Sequence, residues 1–160
     1  MKIAVFAVGR LKAGPEKQLA DRYFERLSKN GPAIGLEFAG VTEVPESRAR
    51  TAPERRREEA GRLRSQLVPG TALIVLDERG KDLSSDKLAA LIESARDAGR
   101  RGLLFGLGGP DGHDPGLAGE AELRLAFGAQ TWPHQLVRIM LGEQLYRAAT
   151  ILSGHPYHRV

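Results

Sequence analysis

No cysteine occurs among the 160 residues. That absence excludes disulfides, thiolate-bound zinc and a cysteine nucleophile together. No apolar run approaches the roughly 20 residues that a membrane span needs. The chain opens on a strand-like run, Lys2-Ile3-Ala4-Val5-Phe6-Ala7-Val8, rather than on a signal peptide, so a cytoplasmic location is expected. No G-x-x-x-x-G-K-[ST] sequence is present, which excludes a P-loop, and there is no G-x-S-x-G elbow to support Ser/His/Asp catalysis. Histidine is also scarce, with 4 in the chain. His155 and His158 are separated by Pro156 and have no carboxylate beside them, whereas zinc sites usually take three or four protein ligands. No metal site is expected.

The remaining composition is that of a folded domain. Hydrophobic residues make up 41% and charged residues 28%, and the length suits one domain, taken as 1–160. The formal charge is +4, from 24 Lys+Arg against 20 Asp+Glu, which suits an anionic partner without proving one.

Apolar runs over Ile3–Val8, Ile34–Val41, Ala72–Asp77, Leu103–Leu107 and Leu123–Phe127 read as strands. Leu36 and Phe38 alternate with Glu37, which puts the second of them at a sheet edge, and Glu78-Arg79-Gly80-Lys81 is expected to turn away from the third. Helices are expected from Glu16 to Ser28, from Pro53 to about Leu67, from Ser84 or Ser85 to about Ala98, briefly over Asp114–Ala121, and from Pro133 onward. Alternating strands and helices predict an α/β fold, a mostly parallel sheet with helices on both faces. The last helix carries a stripe broad enough for the sheet and, through Ile139 and Ile151, for a dimer contact.

The second helix has a thin core face, Ala60, Leu63 and Leu67, and a face bearing Arg55, Arg56, Arg57, Arg62 and Arg64 among Glu54, Glu58 and Glu59. Such a face serves either as a solvated surface of Glu–Arg pairs or as a seat for RNA phosphate.

Chemistry concentrates in the last third. Gly106-Leu107-Gly108-Gly109-Pro110-Asp111-Gly112 resembles a dinucleotide fingerprint only superficially, because G-x-G-x-x-G would need glycine at Asp111. Gly108, Gly109 and later Gly128 do let another group approach the backbone closely. Two such bends, expected at adjacent strand ends, form either a slot that reads a flat base or a pair of turns with no ligand. The tail His155-Pro156-Tyr157-His158-Arg159 is either disordered or folds over a site to supply cations, donors and a stacking ring.

Four segments carry a resemblance: Gly108-Gly109-Pro110-Asp111-Gly112, Thr131-Trp132-Pro133-His134-Gln135-Leu136-Val137-Arg138, Glu143-Gln144-Leu145-Tyr146-Arg147-Ala148 and His155-Pro156-Tyr157-His158-Arg159. Together they resemble the RlmH family, bacterial large-subunit ribosomal RNA methyltransferases of the SPOUT class. The resemblance implies a C-terminal trefoil knot, a homodimer, S-adenosylmethionine as methyl donor, and methylation of N3 of a pseudouridine in 23S rRNA of the assembled ribosome. It assigns the donor pocket to Leu76, Gly108 and Phe127, Gly128, Ala129, Gln130, Thr131 and Trp132. It assigns the reaction site to Arg147, Tyr157, His158 and Arg159, with Glu143. The rival reading is a non-catalytic ribosome-binding factor, which would keep the basic helix and the dimer without needing the glycine slots.

Overall fold

Five parallel strands form one sheet in the order β2-β1-β4-β3-β5 in the computed structural model, which describes residues 1–159. Val160, the last residue of the expected domain, lies outside the described residues. The strands are β1 (Lys2–Val8), β2 (Glu37–Val44), β3 (Thr71–Asp82), β4 (Gly102–Leu107) and β5 (Leu123–Ala126). The helices are α1 (Pro15–Asn30), α2 (Ala52–Arg64), α3 (Ser85–Asp97), α4 (Pro115–Glu120) and α5 (His134–Leu152).

Side-chain alternation along β1 sends Ile3, Val5 and Ala7 to one face and Phe6 and Val8 to the other. The first face packs α1 through Phe24 and Leu27, α3 through Leu88 and Ile92, and α5 through Leu141 and Leu145. The second packs α2 through Ala60 and Leu63, and α4 through Leu117. Helices therefore cover both faces, as the alternation of elements predicts, and β2 is an edge strand.

Local sequence accounts for the helix starts. Thr51 caps α2 in a reciprocal box with Glu54, Ser84 caps α3 by accepting from the Lys87 amide, and Asp114 caps α4 by accepting from the Leu117 amide. A buried ion pair that the apolar stripe does not announce anchors α5. Arg138 pairs with Glu43 of β2, donates to the Gly9 carbonyl at 2.9 Å, and is only 8% exposed. Burial alone would raise the Glu43 carboxyl, but Arg138 and the Leu11 amide outweigh it and hold it below the ordinary value.

Four expectations need correction. β2 begins at Glu37, because Pro32 and the left-handed Gly35 (φ 73°) shape Gly31–Ile34 into a 3-10 turn. α2 ends at Arg64, leaving Leu67 half-buried beyond it. Glu78–Lys81 does not leave the sheet. β3 slips register after Leu76 and rejoins β5 at Lys81 and Asp82, and Gly80 permits this because a Cβ there would lie 2.5 Å from the Arg124 carbonyl oxygen. Finally, the two glycine bends follow β4 and β5, which are not neighbours; β3 runs between them.

Candidate active site

The C-terminal ends of β4, β3 and β5 converge on one opening, the position where open parallel sheets hold ligands. The cavity there has a volume of about 610 Å³. Its walls include Leu76 at the end of the regular part of β3, Gly108 in the bend after β4, and Phe127, Gly128, Gln130, Thr131 and Trp132 in the bend after β5. Ala129, assigned to the same bend, does not line it. The volume suits a nucleoside-sized ligand, and the apolar Leu76, Leu107, Phe127 and Val137 share the lining with polar Glu78 and Gln130.

Each bend is held by groups that periodicity does not reveal. In the second, the Gly128 amide donates to Asp82 Oδ1 at 2.7 Å and Thr131 Oγ1 donates to Glu78 Oε2 at 2.8 Å. Trp132 Nε1 closes the bend by donating to the Phe127 carbonyl at 2.8 Å, and its ring is 38% exposed. Gly128 has φ 87° with nothing within 4 Å of a Cβ position, so conformation calls for glycine there and the space beside it is open.

The first bend differs. Its glycines admit close neighbours, but those neighbours belong to the protein. A Cβ on Gly108 would lie 3.2 Å from the Gly112 carbonyl carbon and 3.3 Å from His113 Cε1, and one on Gly109 would lie 2.9 Å from Glu59 Oε2. Outside the bend, Arg55 grips Asp111 with two hydrogen bonds of 2.6 and 3.0 Å, and that contact holds the Asp111 carboxyl below its ordinary value. On the inside, His113 Nε2 donates to the Leu76 carbonyl at 3.1 Å, which ties the bend to β3. Burial lowers the His113 pKa, so the ring is neutral at pH 7.

Four of the residues that the resemblance assigns to the reaction, Glu143, Arg147, Tyr157 and His158, form a second cluster. Arg147 donates to Glu143 Oε1 through Nε at 2.9 Å and through a terminal nitrogen at 2.5 Å, and its guanidinium lies 4.9 Å from the centre of the Tyr157 ring. Tyr157 donates to the same Glu143 oxygen at 3.0 Å. Burial first, then Tyr23 and Glu143, push the Tyr157 phenol above its ordinary value, so it stays protonated and serves as a donor. His158 Nδ1 lies 3.4 Å from Arg147, and its Nε2 lies 3.4 Å from Asp86 Oδ1 without hydrogen-bond geometry. Arg159 is exposed. The tail is thus folded, with the Tyr157 ring 4.7 Å from that of Tyr146.

The tail does not close over the cavity at the ends of β3, β4 and β5 of its own chain. None of Arg147, Tyr157, His158 and Arg159 lines it. Glu143 lines a different cavity, of about 490 Å³, whose wall includes Phe127 and Gly128. Leu125 and Ala126 also line both cavities, so the two spaces adjoin along the end of β5. The second cavity is mainly apolar, with Leu19 and Tyr23 of α1, Leu83, and Ile139 and Met140 of α5 along it.

The arginines of α2 are largely committed to internal partners. Arg55 holds Asp111, Arg62 holds the Pro45 carbonyl and Arg64 holds Glu120. Among the described residues, no group of three or more metal-ligating side chains is placed to hold an ion, and no helix is long and apolar enough to cross a membrane.

Comparison with known proteins agrees with this architecture. A family model described as "Predicted SPOUT methyltransferase" matches residues 1–158. The ribosomal RNA large subunit methyltransferase H of Mesorhizobium japonicum is 68% identical over 159 residues, covering 99% of each chain. The protein of the same name from Brucella anthropi is 61% identical with the same coverage. Among solved structures, the SpoU methyltransferase AviRb of Streptomyces viridochromogenes, in complex with AdoMet, matches 90% of this chain and 56% of its own at 13% identity. Its TM-score of 0.40 makes the likeness too distant to carry an argument.

Proposed function

We propose, for a chain that belongs to the SPOUT methyltransferases and within them to the ribosomal RNA large subunit methyltransferase H family, that it transfers a methyl group from S-adenosylmethionine to N3 of a pseudouridine in 23S rRNA of the assembled ribosome. The observation that carries this reading is the cavity at the ends of β3, β4 and β5, because a non-catalytic ribosome-binding factor has no need of it. A ribosomal substrate puts the site of action in the cytoplasm.

Bound S-adenosylmethionine supplies an electrophilic methyl on a sulfonium, which needs little activation, so most of the protein's contribution is positioning. Leu76, Gly108 and the bend after β5 would hold the donor, with Phe127 and Leu107 offering apolar faces and Gln130 a polar one. In the transfer, N3 would bond to the methyl carbon as the S–CH3 bond breaks, its electron pair staying on sulfur to leave S-adenosylhomocysteine, and N3 would give up its imide proton. Arg147 and Arg159 stabilise the anion that develops on the base oxygens. His158, whose Nδ1 lies 3.4 Å from Arg147, takes or relays the proton. Tyr157 donates a hydrogen bond or stacks on the base, and Glu143 fixes Arg147 and Tyr157 together.

Since the tail cluster and the donor cavity of one chain are separate, the complete site takes its tail from a second copy. The apolar strip of Leu19, Tyr23, Ile139 and Met140 is the subunit contact in this reading. A trefoil knot through the bends after β4 and β5 belongs to the same proposal. Calorimetric titration with S-adenosylmethionine tests the donor site. Binding with micromolar affinity is expected, and no heat at millimolar ligand would favour the ribosome-binding factor.

A further inference from the structure

Glu59 lies in the middle of the arginine-rich helix, yet it is only 5% exposed. Its Oε1 accepts from the Ser47 amide at 2.9 Å, and its Oε2 is buried without a hydrogen-bond partner among the described residues. A Cβ on Gly109 would meet Oε2 at 2.9 Å, Val8 Cγ1 at 3.0 Å and Oε1 at 3.3 Å, so the carboxyl rests against the backbone of the first bend. The neighbouring Glu58 is bonded to the Ser47 hydroxyl. Through these two glutamates α2 holds the segment before it, and through Glu59 it also supports the bend that walls the donor cavity.

We propose that Glu59 is a positioning residue for donor binding: its carboxyl, lodged between the Ser47 amide and Gly109, sets the shape of the 108–112 bend. The inference rests on the S-adenosylmethionine reading of the cavity. An apolar side chain would fill this position on the core face of α2 without the cost of burying an ionisable group. Glu59 therefore does something that packing alone does not require.

The charges around it set its protonation. Burial raises the Glu59 pKa, Asp111 and Glu46 raise it further, and the Ser47 amide and Arg62 oppose them. Arg55 is spent on Asp111, and Glu58 on Ser47. Arg56 has its Nε buried without a partner, and His113, neutral at pH 7, faces the same space under the bend. Deprotonating Glu59 places a negative charge beneath Gly109 and loosens the bend. Deprotonation of His113, whose pKa burial lowers, moves the profile in the opposite direction.

The test is calorimetric titration of the full chain with S-adenosylmethionine from pH 5 to 9, with thermal melts of every variant. Glu59→Ala is expected to weaken donor binding about tenfold, the size of one hydrogen bond to a buried amide. Glu59→Gln keeps the bulk and the acceptor, so its Kd should stay near the wild-type value while the weakening with rising pH disappears. Gly109→Ala should weaken binding in the wild type but less so in Glu59→Ala, because the two changes relieve one contact. Wild-type affinity in Glu59→Ala, or effects of the two changes that simply multiply, would overturn the inference. If Glu59→Ala does not fold, persistence in Glu59→Gln of the weakening with rising pH overturns it instead. No binding by the wild type would overturn the donor reading itself and this inference with it.

Discussion

One oxygen of Glu143 accepts from both Arg147 and Tyr157, so three reaction-site residues move as a unit. Arg147→Ala should leave the donor Kd unchanged, because Arg147 does not line the donor cavity, while single-turnover methyl transfer falls by about a hundredfold or more. A parallel rise in donor Kd would place Arg147 in the wrong role. His113 makes a second prediction. Burial holds its pKa below the ordinary 6.5, so the unfolded chain takes up the proton first. The stability His113 contributes is complete above about pH 6.5 and is lost as pH falls toward its depressed native value. The melting temperature should fall between pH 7 and 5 more steeply in the wild type than in His113→Leu; equal slopes would remove His113 as the cause. Neither residue's partners were visible in the chain. Arg147 follows Glu143 at helical spacing, which permits the pair, but nothing in the spacing indicates that His113 reaches the Leu76 carbonyl 37 positions away. Glu59 and Glu78 were legible only as charges on a helix and a turn, and Asp82 not at all.

The elements themselves were more readable. Pro15, Ser84 and Gly99 mark helix ends by local chemistry, and the runs of β1, β3 and β4 are apolar because both sheet faces are covered. Strand order was not readable, because crossovers with similar helices fit several neighbours, and the β3–β4–β5 order decides where the two bends sit relative to each other. The extension of β3 to Asp82 was hidden because Glu78-Arg79-Gly80-Lys81 has turn composition, whereas its pairing with β5 is tertiary. Two predictions belong at this scale. Thr51→Ala removes the capping box of α2 and should cost about 1 kcal/mol in denaturant unfolding. Arg138→Ala strands Glu43 at the junction of α5 with β1 and β2, and about 3 kcal/mol is expected. A loss below 1 kcal/mol would show that the pair is not anchoring α5.

At the scale of the whole molecule, the tail cluster lies outside the cavity at the ends of β3, β4 and β5, and the proposed site therefore takes its tail from a second copy. Ile139→Asp with Met140→Glu puts charge on the apolar strip and should yield a monomer by sedimentation that no longer transfers methyl groups. A fully active monomer would mean that one chain completes its own site. The family resemblance implies the dimer; the residues alone offered only a broad stripe on α5. The most direct measurement is incubation of the protein with isotope-labelled S-adenosylmethionine and either intact ribosomes from cells lacking the enzyme or free rRNA from the same cells. Label is expected at one 23S pseudouridine in the intact particles and not in the free RNA. No label in the ribosomes, from protein shown to bind the donor, would contradict it.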